Sequence, residues 1–185
     1  MAGATTPVHR NGHLGAALLS FAPVALVLTG AGTTGHAVLC AVGVAGLSRI
    51  PDYDRRLPFV AHRGATHTLV FALVVGAGTG LVAHGVAATA EYWVIDPAPS
   101  LGASQLIPST SRALPFVWGS LVGTLAVLSH LWADALTPAG VPLLWPVSDA
   151  RYSLGLVGAD DPVGNAVLLV GGALATAAWA WPAVP

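Results

Sequence analysis

Long uncharged apolar windows alternate with short polar connections along this chain. The windows run Leu14 to Gly30, Gly35 to Ile50, Thr68 to Ala90, Ala113 to Ala133 and Pro162 to Ala183. Inside each one the apolar residues are not segregated onto one helical face, the pattern of a helix in lipid and not of one on a soluble core. About 20 mostly apolar residues cross the hydrocarbon of a bilayer, so the last three windows read as full spans. The first two are shorter and are separated only by Ala31 to Thr34, which predicts a tight helical hairpin. The expected fold is therefore all-α: one domain over residues 1–185, a polytopic membrane bundle of about five transmembrane helices. Trp179 and Trp181 read as interfacial anchors of the last span. A cleaved leader competes for the first window, but the run is long for one and no small-x-small site precedes a polar stretch.

Composition supports the membrane reading and narrows the function. Hydrophobic residues make up 55% and charged residues 8% of 185, with a mean hydropathy of +0.73, where a soluble domain carries about 25% charged residues. That excludes an ordinary soluble enzyme and a disordered tail. The net charge of -1 and seven basic residues, all Arg, cannot neutralise a phosphate backbone, so no nucleic-acid partner is expected. Cys40 is the sole cysteine; it reads as a small buried hydrophobe, and no disulfide or zinc-finger spacing exists.

Arginine also sets the expected orientation. With five spans and a cytoplasmic N-terminus, Arg10, Arg49, Arg55, Arg56, Arg63 and Arg151 fall inside and Arg112 falls outside, which satisfies the positive-inside rule. The connection at 96–112 is plain, with Asp96 and Arg112 as its only charges; Glu91 nearby reads as interfacial. The connection at 49–67 holds two acids, four Arg and two His, and that at 134–161 holds four acids and one Arg. Both are on the cytoplasmic side in this topology.

Two motif-like strings carry no chemistry. Gly30-Ala-Gly-Thr-Thr-Gly35 matches the letters of a dinucleotide fingerprint, but it joins two apolar helices and not a strand to a helix, so it reads as a turn. Gly76 and Gly80 inside a span read as a close helix contact. What remains is a set of metal-binding side chains. His13 precedes the first span, Asp52 and Asp54 follow the second, His62 and His67 open the third, and His130 and Asp134 sit four apart near the end of the fourth. That spacing places the last pair on one helical face. The topology brings all seven to the cytoplasmic boundary. Neutral imidazole and carboxylate are ligands of zinc and related ions, three per catalytic metal plus water, so four His and three Asp suit two divalent ions with an open edge. Ionisable groups beside lipid cost a few kcal/mol each unless paired or solvated, and coordination would offset that.

Three strings resemble the signatures of the YdjM-type, LexA-regulated inner-membrane family of metal-dependent hydrolases. They are Pro51-Asp52-Tyr53-Asp54, His62-Arg63-Gly64-Ala65-Thr66-His67, and His130-Leu131-Trp132-Ala133-Asp134 continuing to Trp145-Pro146. The resemblance runs from about residue 9 to 175, and the second and third strings are the specific ones. His13-Leu14-Gly15 is similar to the family's opening Thr-His, with Gly12 in place of the Thr. The family is distantly similar to zinc-dependent phospholipases C and S1/P1 nucleases, helical enzymes that cleave phosphoesters. The resemblance implies His13, Asp52, His62, His67, His130 and Asp134 as metal ligands. Arg55 stands where the family's Asp-x-Asp-His has its final His, which makes Asp54 a poorer ligand.

The expected activity is hydrolysis of a phosphoester, such as a lipid head group, by a metal-activated water at the cytoplasmic face. In this reading Asp52 or Asp54 orients or deprotonates the water, and Arg63 is divided between a planar fork for phosphate and a topology residue. Thr66 reads as the cap of the third helix, with second-layer support of a ligand as the alternative. Thr137, Gly140 and Trp145-Pro146 read as loop-shaping. His36 and His84 fall toward the outer side, outside any motif. A non-catalytic structural or sensory metal protein is the second reading. A transporter is the third, weakened because no inverted repeat is visible and the ligands cluster at one edge. The bilayer itself is the one certain partner.

Overall fold

A computed structural model describes residues 8–59, 62–94, 113–158 and 160–181. Five helices follow in chain order: α1 (Val8–Gly30), α2 (Thr34–Leu47), α3 (Leu69–Val94), α4 (Leu114–Ala135) and α5 (Pro162–Ala180). Among the described residues the only β pairing is one isolated antiparallel bridge, Val141 to Tyr152. Among the described residues, four helices are long and apolar enough to cross a membrane, over Asn11–Gly30, Leu69–Thr89, Leu114–Ala135 and Pro162–Ala180. The fifth, α2, has 14 residues and at 1.5 Å per residue reaches only about 21 Å. The hairpin is as expected; its return arm is shorter than a span.

The bundle is built from two close helix pairs with α2 packed against α1 and α4. In the first pair, a Cβ on Gly76 would meet Thr124 and one on Gly80 would meet Phe116, so α3 and α4 run antiparallel. Thr79 Oγ1 donates to the carbonyl of Gly119 across that seam at 2.8 Å. Glycine is required here because helix backbones approach more closely than any side chain permits. In the second pair Gly12 faces Asn165 and Gly15 faces Leu168 and Gly172, so α1 and α5 run parallel. Every helix therefore begins or ends at one common face, where the connections 48–68 and 136–161 meet.

The inter-helix core is small-residue and apolar: Ala17, Phe21, Ala25, Leu28, Ala37, Cys40, Val44 and Ala126 are buried together. Trp179 joins them at 3% exposure, whereas Trp181 is 78% exposed. Trp179 fills the core because its position on α5 faces α1, which leaves Trp181, exposed just past the end of α5, as the residue free to meet the interface. Gly32, in the turn between α1 and α2, has φ of +75°, the left-handed conformation that glycine adopts without strain. The Gly30–Gly35 string is a turn, as its setting between two apolar helices implied.

Asp96 and Arg112 lie outside the described residues, as do the side chains of Arg10 and Glu91.

Candidate metal centre

Four stretches of chain deliver the site. Pro51 follows the C-terminus of α2 and begins a 3₁₀ turn, Pro51–Arg56, that carries Asp52 and Asp54. His62 and Arg63 come next, then a second short turn at Ala65–His67. Thr68 ends it and starts α3: its Oγ1 accepts from the N–H of Phe71 at 3.1 Å, while Leu143 of the other connection accepts from the N–H of Leu69 at 3.0 Å. Thr68, not Thr66, is thus the cap of α3, and this frees Thr66 for the site. His130 and Asp134 come from the last turns of α4, and His13 from the first turns of α1.

Arg63 ties these stretches together. It has φ of +56°, a conformation uncommon for a residue with a Cβ and one that tends to persist only where the surroundings hold it. Here the turn lets its N–H donate to Asp54 Oδ2 at 3.2 Å while its guanidinium donates to Asp134 Oδ1 at 2.7 Å and to Thr137 Oγ1 at 3.2 Å. Thr137 in turn donates to the carbonyl of Asp134 at 2.8 Å. The Arg63 fork therefore points inward onto a buried carboxylate. Arg151 secures the outside of the same loops, donating to the carbonyl of Arg63 at 3.3 Å and to that of Gly140 at 3.4 Å. Gly140, with φ of +59°, supplies the turn that loop needs.

Hydrogen counting fixes the two imidazoles nearest α3. Asp54 is buried at 1% exposure and accepts on both oxygens: Oδ1 from His62 Nδ1 at 2.9 Å, Oδ2 from Thr66 Oγ1 at 2.7 Å. A hydroxyl has one hydrogen. Since Thr66 gives it to Asp54, the 2.9 Å contact between Thr66 Oγ1 and His67 Nδ1 must be donated by His67. His67 thus carries its proton on Nδ1 and directs the Nε2 lone pair into the site. His62 is bound at both ends, because Arg55 Nη2 donates to its Nε2 at 2.9 Å. Burial alone would raise the Asp54 pKa, but hydrogen bonds from His62 and Thr66 outweigh it and hold the carboxyl below its ordinary value. Asp54 is an ionised anchor behind His67.

The focal point lies in front of His67. Its Nε2 is 3.2 Å from His130 Nε2, and Asp134 Oδ2 is 3.4 Å from each of them. Metal–ligand distances of about 2.0–2.1 Å in a tetrahedral shell put ligand atoms about 3.3–3.4 Å apart, so the three edges are those of one face of such a shell. A lone pair on His67 Nε2 facing a carboxylate oxygen is repulsive unless a cation lies between them. Asp134 Oδ2 is buried with no hydrogen-bond partner, an arrangement that coordination satisfies. The donor set therefore fits a divalent ion.

Asp52 stands at the edge of this face. Its Oδ1 is 3.9 Å from His130 Nε2 and 4.0 Å from His67 Nε2, with 30% of the side chain exposed. His13 lies on the opposite flank, its ring stacked on that of His130 at 4.1 Å and its Nε2 3.8 Å from Asp134 Oδ1. Two groups of potential ligands result, His13 with His130 and Asp134, and Asp52 with His62 and His67. A cavity of about 30 Å³ adjoins the first group, lined in part by Gly12, His13, Thr137 and Asn165.

All seven residues singled out by sequence are thus brought to one site. His36 and His84 are not: His36 packs edge-on against Trp118 at 4.8 Å, and His84 lies on α3 in neither group. Sequence reading undervalued Thr66, which links His67 to Asp54, and Thr137, which steadies Arg63. Their signal was present only as hydroxyl residues beside each candidate ligand.

Comparison with known proteins agrees with the three sequence strings. The family model described as YdjM inner membrane protein matches residues 9–184. The chain belongs to that family. No curated protein and no solved structure matches it.

Proposed function

We propose that this YdjM family member is a metal-dependent hydrolase of phosphoesters, with its site on the cytoplasmic face of the inner membrane. One divalent ion, zinc by the chemistry of the donors, would be held at the seam of the two groups by His67, His130 and Asp134. The observation that carries the reading is the contrast in spacing around that point. Three donor atoms stand 3.2–3.4 Å apart, while the half-exposed Asp52 stands 3.9–4.0 Å away. Three protein ligands with an open fourth position are the pattern of catalytic zinc, whereas four close ligands are the pattern of structural zinc. When bound, such an ion would polarise a phosphoryl oxygen and acidify a water at the open position.

The protein's own groups do the rest. Asp52 faces the open side, within reach of a water there, and serves as the proton acceptor. Arg63 keeps the Asp134 carboxylate aimed inward, and Thr66 with Asp54 keeps the His67 lone pair directed at the same point. His62 locks Asp54 and does not face the focal point with a free nitrogen. The orientation rests on arginine: Arg49, Arg55, Arg56, Arg63 and Arg151 all lie in the connections on the site face, as cytoplasmic connections require.

A structural or sensory metal protein is the second reading, and Asp52 separates the two. A shift of about half an ångström would let Asp52 complete a closed shell of the usual dimensions. The test is elemental mass spectrometry of detergent-purified wild type and Asp52→Asn, with hydrolysis of bis-p-nitrophenyl phosphate measured on the same samples. The hydrolase reading expects about one ion per chain in both and at least a 100-fold loss of rate in the variant, within the range for a lost general base. Loss of the ion in Asp52→Asn supports the structural reading. No ion in wild type after reconstitution overturns both.

A further inference from the structure

The connections that build the site carry several large apolar side chains exposed on their surface. Phe59 is 97% and Val147 91% exposed, and Leu57, Trp145, Leu154 and Leu156 are also exposed. None of these six lies on a helix; all are in the connections on the site face. Their height relative to the spans is fixed by backbone hydrogen bonds. Leu143 accepts from Leu69, the first residue of α3, at 3.0 Å, which sets Trp145 and Val147 beside the start of a span. The N–H groups of Leu154 and Leu156 donate to Ala135 and Leu136 at 2.7 and 2.8 Å, which sets these two beside the end of another. Leu57 and Phe59 continue the segment that holds Asp52, the open edge of the site.

Charge accompanies the apolar side chains. Arg55 and Arg56 are exposed immediately before Leu57, and Arg49 precedes the same turn. The acids of this connection are Asp52, partly exposed and paired with Arg55 at 3.5 Å, and Asp54, buried against His62. The other connection carries the exposed Asp149 and Asp160 together with Arg151, so the positive charge of the rim lies at Arg49, Arg55 and Arg56. Arg56 lies over the Tyr53 ring, 5.1 Å from its centroid. Apolar side chains with tryptophan and arginine at the ends of spans are the composition of a surface that sits in the headgroup layer, the apolar tips below it and the guanidinium groups among anionic headgroups.

We propose that the exposed apolar side chains of the two connections form an interfacial rim, with the Arg49, Arg55 and Arg56 segment seated among anionic headgroups, and that the site takes its substrate laterally at that segment as an anionic phospholipid. The rim is independent of the hydrolase reading; the substrate class rests on it. The segment Asp52 to Phe59 places the two properties in series, with the carboxylate and Arg55 at the site and Leu57 and Phe59 beyond them along the path of an acyl chain.

The test uses the full chain in vesicles of equal phosphatidylglycerol and phosphatidylcholine. In a Cys40→Ala background, single spin labels at Phe59→Cys and Val147→Cys report collision with oxygen against a water-soluble nickel chelate. The rim expects oxygen access to exceed nickel access several-fold at both positions; nickel access equal to that of a free aqueous label overturns it. Separately, Phe59→Ser/Val147→Ser is assayed on vesicle phosphatidylglycerol and on bis-p-nitrophenyl phosphate. Lateral uptake expects at least a tenfold loss on the lipid with the soluble diester unchanged. Equal loss on both, or no loss on the lipid, overturns the substrate class. Wild type inactive on both substrates is a failure of the hydrolase reading, and the spin labels still decide the rim.

Discussion

Thr66 illustrates how much of this site is set by a single hydrogen. Its hydroxyl gives that hydrogen to Asp54, so His67 is obliged to donate from Nδ1 and to keep Nε2 free for the focal point. Thr66→Val preserves shape and removes the link. Outer partners of metal-ligating His are typically worth 10–100-fold in affinity, so Thr66→Val is expected to weaken zinc binding by about that factor, measured by competition with a chromophoric chelator, while Thr66→Ser retains it. A variant with wild-type affinity would show that the His67 tautomer is fixed elsewhere. The ligand types were legible in sequence because His and Asp are rare in this chain and share one boundary. Their division of labour was not. Asp52 and Asp54 look alike as an Asp-x-Asp pair, and only the 3₁₀ turn, which buries one against His62 and exposes the other, makes one an anchor and the other an edge. Arg63, divided by sequence between a fork for phosphate and a topology residue, has a left-handed backbone and a guanidinium set against Asp134, which no spacing along the chain announces.

At the scale of elements, the parallel contact of α1 with α5 is the most demanding. A Cβ on Gly172 would stand 2.6 Å from the carbonyl oxygen of Gly15, and a helix backbone cannot yield as a side chain can. Gly172→Val is expected to separate the two helices and to destabilise the protein by more than the about 1–3 kcal/mol of ordinary overpacking. Gly46 has nothing within 4 Å of an added Cβ, so Gly46→Ala is expected to be neutral or stabilising by up to about 1 kcal/mol. Thermal unfolding in one detergent compares them, and equal midpoints would contradict the close contact. The helices themselves were readable from apolar window length. The α1–α5 partnership was not, because glycines in apolar windows mark close approach without naming the neighbour. The small-residue pair Gly76 and Gly80 correctly announced a contact; that its partner is α4 emerged only from the fold. Trp179 failed as an anchor for the same reason, since window position alone does not say which side of α5 faces protein.

For the whole molecule, the ion would add a link at the site face between helices that already pack along their length. His67, His130 and Asp134 join the start of α3 to the end of α4, and His13 adds α1 through its stack on His130. Binding that favours the folded state contributes about 2.7 kcal/mol when the ion is at a hundred times its Kd, roughly 5–10 °C in Tm for a domain of this size. Stripping with a chelator is expected to lower the unfolding midpoint by that amount and re-addition of zinc to restore it; an unchanged midpoint would mean that no ion is held. The 14 residues of α2 set one further property. An arm of about 21 Å cannot by itself match a hydrocarbon layer of about 30 Å. Because α1, which shares the tip at Gly32, is long enough to span, the shortfall lies at the other end of α2, where Ser48 to Ile50 lead into the turn that carries Asp52. Each ångström of such mismatch costs a fraction of a kcal/mol, and it is charged at one corner of the bundle only. Long-chain lipids would load that corner and short-chain lipids would relieve it, so bilayer thickness would bear on the segment that positions Asp52.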